Sequence, residues 1–106
     1  MLFAPAAHLQ KSFGILDDII YDNLPSDKDS KKIVAQKIAV IHNEFNAVHP
    51  FREGNGRTIR LFLDLLSVSL GFGLINFDSP NYIQACLDGM CGQHQSMADI
   101  VLKSIE

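Results

Sequence analysis

Between His49 and Arg60 the chain reads His-Pro-Phe-Arg-Glu-Gly-Asn-Gly-Arg-Thr-Ile-Arg, and most of these side chains have a use in chemistry. Gly54 and Gly56 flank Asn55 where a loop runs into a helix, so backbone N–H groups can approach an anion at the positive end of that helix. Arg57 and Arg60 are three apart, hence neighbours on the first turns, and both can reach toward an anion on this cradle. Glu53 stands immediately before the cradle, where a carboxylate would repel a polyphosphate unless a divalent cation lay between them. His49, across the same loop, is a candidate general base. Singly, each residue has a plainer use: Gly-Asn-Gly as a turn, Arg60 as the i,i+4 partner of Asp64, Glu53 in solvent, His49 as a helix cap. Their coincidence in one short segment favours a site for a phosphorylated ligand.

The elements that must hold this segment are helical. Leu9, Phe13, Leu16 and Ile20 recur at steps of four, three and four, which predicts a first helix from about Pro5 to Asn23. The polar, Pro-containing stretch from Asn23 to Asp29 reads as a loop, and Ser30 as the cap of a second helix carrying Val34, Ile38, Ile41, Phe45 and Val48. That helix should stop at His49, because a residue before proline is pushed out of the helical region. A third helix starts near Asn55 and ends at Gly71. It has Ile59, Leu63, Leu66 and Leu70 on one face and Arg57, Arg60, Asp64 and Ser67 on another.

The run Phe72 to Phe77 reads as an apolar connector. Ser79 and Pro80 should cap and open a fourth helix to about Gly89, and a fifth should run from about Ser96 to Ile105. Phe62, Phe72 and Phe77 are assigned to the core, and His42 to a packing role with one polar contact. The expected fold class is all-α, a compact bundle of about five helices in a single domain over residues 1–106.

Composition narrows the partners. The 106 residues are 47% hydrophobic and 20% charged, and the formal charge of −3 argues against a general nucleic-acid binder. Leu61 to Phe77, the most apolar stretch, is interrupted by Asp64, serines and glycines and is too short for a spanning helix, so no membrane partner is expected. The N-terminal residues lack the basic and apolar regions of a secretory signal, which makes the cytoplasm the expected compartment. Cys86 and Cys91 are five apart in a helix and should be free thiols. Cys91 and His94 make half of a zinc site without a second pair at ligand spacing, and the plainer assignment is a buried thiol and a surface imidazole.

The segment matches the pattern His-x-Phe-x-Asp/Glu-Gly-Asn-Gly-Arg-x-x-Arg at every specified position, and on it the chain resembles the Fic family of nucleotidyl transferases. The resemblance implies a helical Fic fold whose motif loop binds a nucleoside triphosphate. It implies protein adenylyltransferase activity: AMP moves from ATP to a Ser, Thr or Tyr hydroxyl of a target protein, and pyrophosphate leaves. Carried onto this chain, His49 deprotonates the target hydroxyl and Phe51 anchors the nucleotide-binding loop. Glu53 holds Mg²⁺, Gly54, Asn55 and Gly56 line the anion hole, and Arg57 and Arg60 hold the β- and γ-phosphates.

Outside the motif, Ile41-His42, Phe45 and Tyr82 also look like Fic cores. Tyr82 either borders the base pocket or is a core aromatic with a hydrogen-bonded hydroxyl. The resemblance admits an inhibitory antitoxin protein and self-association among the partners. It sets the compartment as bacterial cytoplasm, with delivery into a host cell as the other option.

Two departures from the family pattern stand out. Only Leu2-Phe3-Ala4-Pro5 precedes the first helix, too little for the β-hairpin flap that aligns a target segment. The inhibitory pattern Ser/Thr-x-x-x-Glu-Gly/Asn is absent from these residues. The alternatives are a nucleotide-binding core that transfers nothing, and an enzyme transferring another nucleotide or a phosphoryl group. The Doc branch, which does the latter, is expected to have Lys where this chain has Arg57, and a point charge holds phosphates differently from a guanidinium fork.

Overall fold

The structure, a computed structural model, describes residues 6–48 and 55–106, with the side chains of 14–47 and 56–106. Five helices follow one another: α1 (Ala6–Asp22), α2 (Lys31–Val48), α3 (Asn55–Ser69), α4 (Tyr82–Met90) and α5 (Gln95–Ile105). No strand occurs among the described residues. The all-α bundle of five helices is therefore as the periodicity predicts. No helix of the described residues is long and apolar enough to cross a membrane.

The second helix organises the rest because its apolar residues face inward on more than one side. Val34, Ala35, Ile38, Ala39 and Ile41 are all fully buried, and α2 packs against α1, α3, α4 and α5. Its start is the expected one: the Ile33 N–H donates to Ser30 Oγ at 3.2 Å, a serine cap. Its last residue is Val48, one before His49.

At its far end α3 closes as a glycine demands. Gly71 has φ +90°, the Phe72 N–H donates to the Ser67 carbonyl at 3.0 Å and the Gly71 N–H to that of Val68 at 3.0 Å. These two bonds satisfy carbonyls the helix would otherwise leave open.

Ser67, on the face of α3 shared with Arg57, Arg60 and Asp64, is fully buried, and its hydroxyl donates to the Gly73 carbonyl at 2.7 Å. Two expectations are corrected. Phe62 is 37% exposed rather than core, since α3 packs chiefly on α2 and turns Leu61, Phe62, Leu65 and Val68 outward. The fourth helix begins at Tyr82 with Asn81 at its N-cap, not at Pro80 with Ser79 as the cap. Ser79 instead makes a turn, its Oγ accepting the Asn81 N–H at 3.3 Å and its carbonyl the Tyr82 N–H at 3.0 Å.

The connector before it is fastened by side chains. The Ile75 N–H donates to Asp64 Oδ1 at 3.0 Å and the Asn76 N–H to Ser104 Oγ at 3.0 Å, while Ile75 and Phe77 enter the core. Side chains thus take up the Ile75 and Asn76 N–H groups that a partner strand would otherwise meet.

Candidate functional site

The described part of the site is the N-terminal end of α3. Asn55 is its first residue, Gly56 and Arg57 follow, and Arg60 stands one turn on. His49, Phe51, Glu53 and Gly54, and the side chain of Asn55, lie outside the described residues.

Helical side chains lean toward the N-terminus, and Arg60 does so strongly. A Cβ built on Gly56 would stand 3.4 Å from Arg60 Nη1, in ordinary contact, so the guanidinium lies close over Gly56. Arg57 is exposed and Arg60 half-buried, and no acidic residue occupies this first turn. Two cations at the positive end of a helix dipole oppose one another electrostatically, an arrangement that an anion relieves.

The plainer alternative for Arg60 is overturned. Asp64 is taken up by the backbone of Ile75. The ion pair found among the described residues joins Lys37 to Asp29, with Nζ and Oδ2 2.8 Å apart.

Behind Arg60 the sequence reading missed a polar cluster. The guanidinium carbon lies over the Tyr82 ring, 5.9 Å from its centroid. Tyr82 Oη is 2.8 Å from His42 Nε2, His42 Nδ1 is 3.0 Å from Asn43 Oδ1, and Asn43 Nδ2 is 2.8 Å from His94 Nδ1. His42 also stacks on Phe77, with centroids 5.8 Å apart.

His42 is 0% exposed and Asn43 4%, yet the described residues include no buried side-chain polar atom without a partner. The cluster is therefore satisfied, as burial requires. It bears out His42 as a packing histidine and Tyr82 as an aromatic with a hydrogen-bonded hydroxyl. The one signal in the sequence was a His-Asn pair inside the apolar face of α2. Tyr82 was singled out only by the family resemblance, and His94, distant in the chain, gave no sign of joining the cluster.

Burial sets the charge state of this cluster. Desolvation holds the His42 imidazole below its ordinary value, and the nearby Arg60 charge adds to that, against the hydrogen bond that His42 donates to the Asn43 amide oxygen. Burial likewise pushes the Tyr82 hydroxyl up to about 12, against the pull of Arg60. Below the ordinary imidazole value of about 6.5 the unfolded chain takes up a proton at this position before the folded one does, so acid favours unfolding. Urea unfolding at successive pH values should accordingly show stability falling below about pH 6.5, by at most about 1.4 kcal/mol per pH unit from this residue. Replacing His42 by Gln should flatten that dependence, and a slope unchanged by the substitution would assign it elsewhere.

The two thiols are free, as expected, but the assignment around Cys91 is reversed. Cys91 is exposed, while His94 is half-buried and accepts a hydrogen bond from Asn43. No group of three metal-ligating side chains exists among the described residues.

Comparison with known proteins agrees with the motif. The model of the Fic/DOC family matches residues 2–67. A probable protein adenylyltransferase of Sinorhizobium fredii, y4lH, is 46% identical over 79 residues, which are 73% of this chain and 41% of that protein. The protein adenylyltransferase VbhT of Bartonella schoenbuchensis is 29% identical over 73 residues, 67% of this chain and 15% of that one. A protein adenylyltransferase of Bartonella henselae is 32% identical over 72 residues, 68% of this chain and 13% of its own. The chain thus spans less than half the length of each of these relatives. No solved structure matches it significantly.

Proposed function

The chain belongs to the Fic/DOC family, and from that premise we propose that it is the nucleotide-binding and transfer core of a protein adenylyltransferase, moving AMP from ATP to a hydroxyl of a target protein. The observation that carries this reading is the motif from His49 to Arg60, intact at every specified position, together with the pair of guanidinium groups at the N-terminal end of α3. Relatives named protein adenylyltransferases support the same activity.

In this reading His49 takes the proton of the target hydroxyl as its oxygen attacks the α-phosphorus. A new phosphorus–oxygen bond forms there and the bond to the pyrophosphate oxygen breaks. The amides of Gly54, Asn55 and Gly56 hold phosphate oxygens, Phe51 anchors the loop, and Arg57 and Arg60 neutralise charge that builds on the leaving pyrophosphate. Loss of a methyl-free approach at Gly54 or Gly56 would act on nucleotide binding itself.

A donor set of one carboxylate, Glu53, completed by phosphate oxygens and water suits Mg²⁺, which takes few protein ligands. Bound there, the ion would draw negative charge from the phosphate oxygens. The described residues offer no competing cation cage.

Two labels of the same nucleotide test the proposal. With Mg²⁺ and ATP labelled at the α-phosphate, the protein should attach label to itself or to a protein of a cell lysate, and ATP labelled at the γ-phosphate should attach none. Label from the γ-position alone would make it a phosphoryl transferase. ATP bound without transfer of either label would leave a binding core, and the absence of ATP binding would overturn the nucleotide reading.

A further inference from the structure

We propose that Asp64, held by the main-chain amide of Ile75, is a positioning residue for Arg60: the amide occupies the carboxylate that stands one helical turn beyond the guanidinium, and so leaves the guanidinium open to a phosphate. The proposal rests on the reading of Arg60 as a phosphate ligand. It concerns the anion nearest to hand, which belongs to the chain itself.

Arg60 and Asp64 are four apart on α3, the spacing at which opposite charges on a helix meet. Helical side chains lean toward the N-terminus, so Asp64 leans over the turn that carries Arg60. A carboxylate free in that place would compete with phosphate oxygens for the same guanidinium N–H groups. The two nevertheless make no ion pair; the one found among the described residues joins Lys37 to Asp29.

Each of the two has gone elsewhere. Asp64 Oδ1 accepts the Ile75 N–H at 3.0 Å. Arg60 lies toward the N-terminal end of the helix, close to Gly56 and over the Tyr82 ring, with its guanidinium carbon 5.9 Å from the ring centroid.

Other bonds hold the amide in place independently of the carboxylate. On α3 the Ser67 carbonyl accepts the Phe72 N–H at 3.0 Å and the Ser67 hydroxyl donates to the Gly73 carbonyl at 2.7 Å, while on α5 Ser104 Oγ accepts the Asn76 N–H at 3.0 Å. Ile75 is itself buried, at 5% exposure. Releasing Asp64 would leave that N–H without its partner beside the core, so the fold favours the pairing with the connector. The order of charges agrees, since an acidic residue C-terminal to a basic one is the weaker arrangement on a helix.

Calorimetry with Mg·ATP and with AMP, which lacks the phosphates assigned to Arg60, tests this on the wild type, Asp64→Glu, Asp64→Asn, Arg60→Ala and the double variant of Arg60→Ala with Asp64→Glu. Glu is one methylene longer, so its carboxylate overshoots the Ile75 amide and reaches the guanidinium. It should weaken ATP about two- to fivefold, the strength of one exposed ion pair, and leave AMP unchanged. Asn keeps an oxygen for the Ile75 amide and carries no charge, so it should bind ATP no more weakly than the wild type. In the Arg60→Ala background Asp64→Glu should have no further effect, because the carboxylate would then have nothing to block. Equal losses for ATP and AMP, additive losses in the double variant, a loss with Asn that matches the loss with Glu, or undiminished ATP affinity with Glu would each overturn the proposal.

Hydrogen exchange of the Ile75 amide, followed by NMR, reads the pair without any nucleotide. The amide should be protected in the wild type and in Asp64→Asn and should exchange faster in Asp64→Glu; equal exchange in all three would overturn the pairing. Should Arg60→Ala leave ATP affinity unchanged, the phosphate reading of Arg60 fails and the positioning role fails with it. Should Arg60→Ala weaken ATP while Asp64→Glu does not, that reading stands and the proposal alone falls.

Discussion

Replacing His49 by Ala should lower adenylyl transfer by about two to four orders of magnitude, the usual cost of losing a general base, with ATP affinity nearly unchanged. The separation of the two effects is the informative part. In the proposed function the anion cradle and the guanidinium groups come from the residues after His49, and these would bind phosphate by backbone N–H groups and fixed positive charge. Removing an imidazole at the other end of the loop takes nothing from that set.

The imidazole is needed only when the target hydroxyl must lose its proton, a demand made in the transition state and not on binding. Single-turnover transfer from ATP labelled at the α-phosphate, alongside calorimetry of ATP binding, measures both quantities. A variant that loses affinity and transfer in equal measure would make His49 a binding residue and leave the base to be sought elsewhere.

Replacing Gly89 by Ala should destabilise the fold by roughly 2–4 kcal/mol, although helix propensity alone predicts a gain of about 1 kcal/mol from the same change. Gly89 is buried within α4, where a glycine weakens a helix, so its presence needs a cause. The cause is Asn43. A Cβ at Gly89 would stand 2.5 Å from Asn43 Oδ1 and 2.6 Å from Nδ2, closer than any real contact allows.

The amide would have to move, and both of its hydrogen bonds, to His42 and to His94, would stretch or break in a buried place. Each orphaned group costs about 1–3 kcal/mol, which outweighs the propensity gain. Thermal unfolding should therefore show a fall on the order of 10–20 °C for a chain of this length. Asn43→Ala in the same chain clears the space, so the double variant should be less destabilised than the sum of its parts. A more stable Gly89→Ala protein would mean that α4 and α2 do not approach as described.

The legibility of this molecule follows the distance along the chain over which each feature is decided. Helix α2 starts on a serine cap and α3 ends in a glycine-closed turn; both are contacts among near neighbours. The Ser79-Pro80 start of the fourth helix failed because the hydroxyl and carbonyl of Ser79 close a turn first, a local competition that capping preferences alone do not resolve. Helical periodicity puts Ser67 and Asp64 on the polar face of α3 but knows nothing of the connector that returns over them.

What the sequence by itself determined is the family and the inventory of the candidate site, since a motif loop and the first turns of its helix are built from consecutive residues whose spacing can be read directly. What only the tertiary structure decided is the surrounding of Arg60. Tyr82 meets His42 across 40 positions of chain and His94 meets Asn43 across 51, and Gly89 is small because Asn43 lies against it. Such pairs leave no periodic trace, because they are set by the packing of α4 and α5 on α2, where burial leaves each polar group no water and obliges it to find a partner from another helix.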